Sequence, residues 1–153
     1  MAKNIIVSNR LPVQAENKEG EWIFSPTSGG LATGLKSFHN EGKSLWIGWP
    51  GVSSDSLNKK SKRQINEDLL DKQFCPVFLN ELELDNFYFG FSNKCLWPLF
   101  HYFIELAKFN ENDWLTYVDV NKKFCEKVIQ NTKQNGVVSV SYTHLTLPTK
   151  RIV

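Results

Sequence analysis

An apolar run near the start of the chain, Ile5-Ile6-Val7, stops abruptly at Ser8-Asn9-Arg10, and this juncture constrains the fold more than any other feature. Three adjacent β-branched residues without polar alternation read as a strand buried on both faces, the kind found in sheets covered by helices. Ser28-Gly29-Gly30 then opens a stretch, Leu31 to His39, that reads as a helix. A strand ending in a cation, beside a Gly-Gly turn feeding a helix N-terminus, is how α/β proteins hold phosphates. Neither Gly29 nor Gly30 carries a Cβ, so two backbone N–H groups can approach an anion closely, and the helix dipole adds partial positive charge. Arg10 can then fork onto a second phosphate. The alternative is a plain Gly-Gly turn and a solvated strand-end arginine, since the strict dinucleotide fingerprint is absent.

Further along, strand and helix patterns alternate. The first strand is expected over Lys3 to Ser8, followed by a hairpin whose arms are Leu11 to Ala15 and Trp22 to Ser25, joined at Asn17-Lys18-Glu19-Gly20. A parallel-type strand over Ser44 to Gly48 runs into the loop signal Trp49-Pro50-Gly51. Ile65, Leu69 and Leu70 share one face of an amphipathic helix expected from Ser61 to Lys72, and a third strand from Phe74 to Leu79. Asn80 reads as a helix cap; helix is expected over Asn86 to Leu96 with a break near Gly90, then a bend at Trp97-Pro98. Trp114 to Gln130 carries the strongest helical spacing, with Trp114, Tyr117, Val118, Asn121, Phe124, Cys125, Val128 and Ile129 recurring, and Val137-Val138 would start a fourth strand. The expected fold is therefore α/β, half or more of a doubly wound domain with a mostly parallel sheet and an early hairpin.

Composition removes several functional classes. With 153 residues, 41% hydrophobic and 22% charged, the chain is of a size and balance to form one globular domain. A net charge of +2 gives no argument for a nucleic-acid or membrane partner. No run approaches the roughly 18 apolar residues of a membrane span. A strand beginning within the first few residues leaves no room for a secretory signal, so a cytoplasmic location is expected. Cys75, Cys95 and Cys125 are odd in number and widely spaced, which suits buried free thiols in a reducing compartment. His39, His101 and His144 share no ligand spacing with Cys, Asp or Glu, so neither a metal site nor a cofactor is expected.

Four stretches together resemble the trehalose-6-phosphate synthase family, retaining glycosyltransferases of the GT-B type. They are Val7-Ser-Asn-Arg-Leu-Pro-Val13, Ser28-Gly-Gly-Leu-Ala-Thr-Gly34, Leu45-Trp-Ile-Gly-Trp-Pro-Gly51, and Tyr88-Phe-Gly-Phe-Ser-Asn-Lys-Cys-Leu-Trp-Pro-Leu-Phe-His-Tyr102. The W-x-x-Y-x-x-V-N pattern from Trp114 to Asn121 follows in the same order. The family transfers glucose from a nucleotide donor, usually UDP-glucose, to glucose 6-phosphate, giving trehalose 6-phosphate and UDP. The resemblance implies that Arg10 and Tyr88 contact the acceptor's phosphate and that Trp49 and Trp97 line the acceptor pocket. It implies likewise that Gly29 and Gly30 meet the donor, with Gly30 nearest its pyrophosphate. A dianionic phosphate suits a guanidinium fork and a phenol donor, and aromatic faces suit the C–H faces of a pyranose. On the other reading Trp97 is a buried helix-end wedge, Trp49 a core plug and Tyr88 a packing residue.

The resemblance covers roughly residues 3 to 138. Beyond it, the family's tryptophan–isoleucine–histidine–aspartate–tyrosine segment is replaced by Ser139-Val140-Ser141-Tyr142, and His144 does not stand for the missing histidine. From Val140 the string is rich in hydroxyl residues and resembles a translated transposase-type sequencing adaptor. The expected organisation is a partial, acceptor-side Rossmann-like domain over 1–138 and a non-native tail over 139–153, loosely attached to a sheet edge if ordered. The family's second domain has no counterpart here. The resemblance thus implies an inactive N-terminal fragment without catalytic residues of its own, whose uncovered edge and faces favour aggregation. A sugar-phosphate-sensing regulator, or the start of a bifunctional synthase–phosphatase, would carry the same motifs; oligomeric state is left open.

Overall fold

The computed structural model describes residues 2–27 and 44–140. Gly29, Gly30, the helix expected over Leu31 to His39, and residues from 141 onward lie outside them. Among the described residues, four parallel strands form one sheet in the order β5-β4-β1-β6: β1 (Ala2–Arg10), β4 (Ser44–Trp49), β5 (Phe74–Pro76) and β6 (Thr132–Val140). The chain steps outward from β1 to β4 to β5, then returns to the other side of β1. That reversal puts a topological switch point at β1, where open α/β sheets place ligands beyond the carboxyl ends of their strands.

Each face of the sheet carries its own core. Ile5, Val7 and Ile47 pack with Phe87, Tyr117, Val120 and Phe124 on one side, whereas Ile6, Trp46 and Phe74 pack with Leu57, Ile65 and Leu69 on the other. Alternate residues of β1 thus enter opposite cores, which is why that strand needs an unbroken apolar centre. Helix α1 (Lys59–Leu70) covers the second face. It starts two residues before the expected Ser61 because Asn58 caps it, accepting from the Ser61 N–H at 2.8 Å. The hairpin β2 (Val13–Lys18) and β3 (Glu21–Pro26) turns at Glu19 and Gly20, both at positive φ, the two-residue type I′ geometry. Its backbone is tied to the loop after β4, with Ala15 N–H donating to Pro50 O at 2.8 Å.

The first face is covered by a composite helical segment and by α4. The segment is α2 (Glu81–Glu83), a π-helix (Leu84–Leu96) and α3 (Trp97–Phe100); α4 is Glu111–Asn131. Asn80 opens it through a reciprocal capping box with Glu83. The helix does not break at Gly90, as the sequence suggested. Winding with i→i−5 bonds moves buried positions to a five-residue spacing, Phe87 with Ser92 and Gly90 with Cys95, so a 3.6-residue pattern fails without any interruption. Gly90 serves packing, since a Cβ there would lie 2.6 Å from the Asp113 carboxylate on α4. Nor does Pro98 force Trp97 out of helical geometry (φ −60, ψ −49): Pro98 occupies the first turn of α3, where its missing N–H is not needed.

Other boundaries shift for local reasons. Strand β5 is only three residues long, ending at Pro76, which cannot donate to a ladder. Strand β6 begins at Thr132, five residues before the expected Val137, and pairs Ser139 with Ile6 and Val140 with Val7. The buried side of α4 is Tyr117, Val120 and Phe124; Ile129 faces solvent, and so does Cys125, contrary to the expectation that all three thiols are buried. Cys75 and Cys95 are buried, and desolvation pushes both thiols up from their ordinary value, with Lys127 partly countering this at Cys75. Downstream of α3, Tyr102, Ile104 and Phe109 stand in solvent, 89%, 66% and 73% exposed, a large uncovered apolar segment.

Candidate functional site

The site is built at the carboxyl end of β1 by a bulge. Val7 pairs with Ile47 and Arg10 with Trp49, so three steps on β1 are matched by two on β4. One extra residue on β1 reverses the alternation at this point. Ser8 keeps the face of the α1 core, where its Oγ accepts from Trp46 Nε1 at 2.8 Å. Arg10 would share that face in a regular strand. The bulge brings it onto Trp49 instead, with the guanidinium carbon 5.0 Å from the indole centroid. Ser8 Oγ also donates to the Arg10 carbonyl at 2.7 Å, and Leu11 N–H to Trp49 O at 2.9 Å, which lock the irregular backbone.

Two glycines make room for this geometry. A Cβ on Gly48 would lie 2.8 Å from Leu11 N, and 3.0 Å from both Arg10 C and Ser8 O, all backbone atoms that cannot swing aside. Gly51 holds φ +86, and a Cβ there would meet Gln14 Cγ at 2.9 Å and Arg10 Nη2 at 3.3 Å. Gln14 Oε1 in turn accepts from Arg10 Nη2 at 3.1 Å. Arg10 is thus oriented by an amide oxygen and an indole face, both neutral. Among the described residues no carboxylate pairs with it, so its positive charge stays uncompensated at an exposed strand end.

Trp49 is half-buried, donates its Nε1 to Val52 O at 2.9 Å, and packs on the same core cluster as Tyr88. It is therefore both a core residue and a platform for Arg10. Tyr88 is also half-buried, its ring edge-on to Phe89 at 5.2 Å. Trp49 and Tyr88 both pack against the core of the first face, and Arg10 lies over the Trp49 ring. Trp97 is 40% exposed, which rules out the buried wedge; its ring stacks on His101 at 4.1 Å. Gly29 and Gly30 lie outside the described residues, so their approach to Arg10 is not defined. Sequence reasoning missed Gln14, Gly48 and Gly51. A glycine between two tryptophans at the end of a buried strand is itself a sign of close backbone approach, and would have identified Gly48.

Among the described residues no group of three or more His, Cys, Asp and Glu side chains could hold a metal, and no helix is long and apolar enough to cross a membrane. The arrangement can bind an anion through Arg10 and present aromatic surface around it.

The described residues form a Rossmann-order parallel sheet with an arginine unpaired by any carboxylate at its switch point, and the solved structures supply the class: the sheet matches the N-terminal domain of GT-B trehalose-phosphate synthases. A Burkholderia xenovorans alpha,alpha-trehalose-phosphate synthase (UDP-forming) in complex with glucose-6-phosphate superimposes with TM-score 0.63 at 26% identity, over 93% of this chain and 29% of that one. An E. coli structure bound with UDP-2-fluoro glucose gives TM-score 0.63 at 25% identity, over 92% and 28%. The family model of glycosyltransferase family 20 matches residues 2–152, and the chain belongs to that family. Among curated relatives, the alpha,alpha-trehalose-phosphate synthase [UDP-forming] of Pichia angusta is 38% identical over 150 residues, covering 94% of this chain and 31% of the relative. The 56 kDa subunit of the Saccharomyces cerevisiae enzyme is also 38% identical, over 94% and 29%. The chain therefore spans about 30% of the length of the relatives it matches.

Proposed function

We propose that this chain forms the acceptor-side wall of a trehalose-6-phosphate synthase, which transfers glucose from UDP-glucose to glucose 6-phosphate. Arg10 grips the acceptor phosphate, Tyr88 donates to it, and Trp49 and Trp97 face the sugar. Gly29 and Gly30 receive the donor, Gly30 at its pyrophosphate. The observation that carries this reading is the uncompensated Arg10 guanidinium, aimed by the bulge and held by Gln14 and Trp49. Neutral partners fix orientation without spending charge, which a dianionic ligand needs.

Glucose 6-phosphate titrated calorimetrically into the 153-residue chain is expected to bind. Arg10→Ala should weaken that binding by about 10- to 100-fold, the worth of a charge-assisted contact. Binding that ignores Arg10 would refute the assignment. GT-B chemistry proceeds in the cleft between two domains, where fixed cations stabilise the departing diphosphate. With about 30% of the relatives' length, the chain alone is expected to form no trehalose 6-phosphate from UDP-glucose and glucose 6-phosphate. Turnover by the chain alone would overturn that.

A further inference from the structure

Arg10 and Gln14 meet at the carboxyl end of β1, and the way they meet limits what the arginine can hold. A guanidinium offers two bidentate forks, Nε with Nη2 and Nη1 with Nη2, so both forks draw on Nη2, each through a different hydrogen. Gln14 Oε1 accepts from Nη2 at 3.1 Å. Whichever hydrogen it takes, one fork is occupied and the other stays open. Gln14 is itself anchored. It lies in β2 opposite Ser25, and the next residue, Ala15, donates its N–H to Pro50 O at 2.8 Å. Its Cγ sits in the space left by Gly51, 2.9 Å from where a Cβ on that residue would stand. The same guanidinium lies over Trp49, 5.0 Å from the ring centroid.

We infer that Gln14 is a positioning residue that sets the specificity of this site: by filling one fork of Arg10 it makes the arginine a reader of one phosphate monoester rather than of a diphosphate. The two phosphoryl groups of a diphosphate would engage both forks, and only one is open. A monoester needs a single fork, and gains from an arginine already held in place. The neutrality of Gln14 is part of the device, because a carboxylate of the same reach would fill the fork and cancel the charge. This inference rests on the proposed acceptor site, where a sugar phosphate has to be told apart from a nucleoside diphosphate sugar. Its failure and the failure of that site are separable, since each turns on a different side chain.

The test titrates the full chain calorimetrically with glucose 6-phosphate and, separately, with inorganic pyrophosphate, in Gln14→Met, Gln14→Glu and Arg10→Ala. Met keeps an unbranched stem over Gly51 and offers no strong acceptor. Gln14→Met should weaken glucose 6-phosphate about three- to fivefold while pyrophosphate holds or tightens, so that the ratio of the two dissociation constants shifts by about fivefold. Gln14→Glu should weaken both titrants at least tenfold or so with the thermal midpoint held or raised, a combination that damage to the fold does not produce. An equal loss on both titrants in Gln14→Met overturns the inference, and a lowered midpoint beside it marks Gln14 as merely structural. Full binding in Gln14→Glu overturns it as well. Losses in Arg10→Ala with none in either Gln14 variant overturn it while sparing the acceptor site. Absence of glucose 6-phosphate binding by the unmodified chain, or binding indifferent to Arg10, overturns both.

Discussion

Gly48→Val destabilises the fold by about 3 kcal/mol or more and removes sugar-phosphate binding together with it. Its new Cβ would stand within 3.0 Å of backbone atoms of Ser8, Arg10 and Leu11, and 2.8 Å from Leu11 N, so the clash cannot be relieved by rotating a side chain. The two strands must part or the bulge must flatten. Flattening returns Arg10 to the Ser8 face and takes its guanidinium off Trp49. Urea unfolding followed by circular dichroism should show a midpoint lower by roughly 1–2 M at unchanged slope. Binding of glucose 6-phosphate to the variant that remains folded should fall at least as far as in Arg10→Ala. A variant with native midpoint and native binding would remove Gly48 from the account of the site.

Phe87→Ala is expected to cost about 3–5 kcal/mol, a large share of the 5–15 kcal/mol typical of a whole domain. Phe87 is fully buried and stacks on Tyr117 at 5.4 Å and on Phe124 at 6.4 Å, joining the π-helix to α4 over the first face of the sheet. Its neighbour Tyr88 owes its position to that anchor. Calorimetry or urea titration measures the loss. Loss of the Phe87–Tyr117 stack should also raise tryptophan emission changes near Trp114, which lies 6.0 Å from the Tyr117 ring. A loss below about 1 kcal/mol would mean that the π-helix is not docked through Phe87.

How far the sequence could be read depended on whether one segment or several decide a feature. The first strand was legible because burial on both faces demands the continuous run Ile5-Ile6-Val7. Asn80 caps its helix through contacts only three residues away, so that chemistry too is written locally. The π-helix was misread at Gly90 because its five-residue spacing mimics a broken α-pattern, and the close neighbour of Gly90 is the Asp113 carboxylate on another element.

The same division holds at the site. Sequence alone placed a cation at the end of a buried strand and put the aromatic residues Trp49, Tyr88 and Trp97 in order, since motif identity needs no partner. Only the tertiary structure decided where Arg10 points. That direction depends on a register mismatch between β1 and β4, on the missing Cβ of Gly48, and on neutral contacts from Gln14 and Trp49. Each of these joins residues that are distant in the chain, and a one-residue shift of register moves a side chain to the opposite face of a sheet.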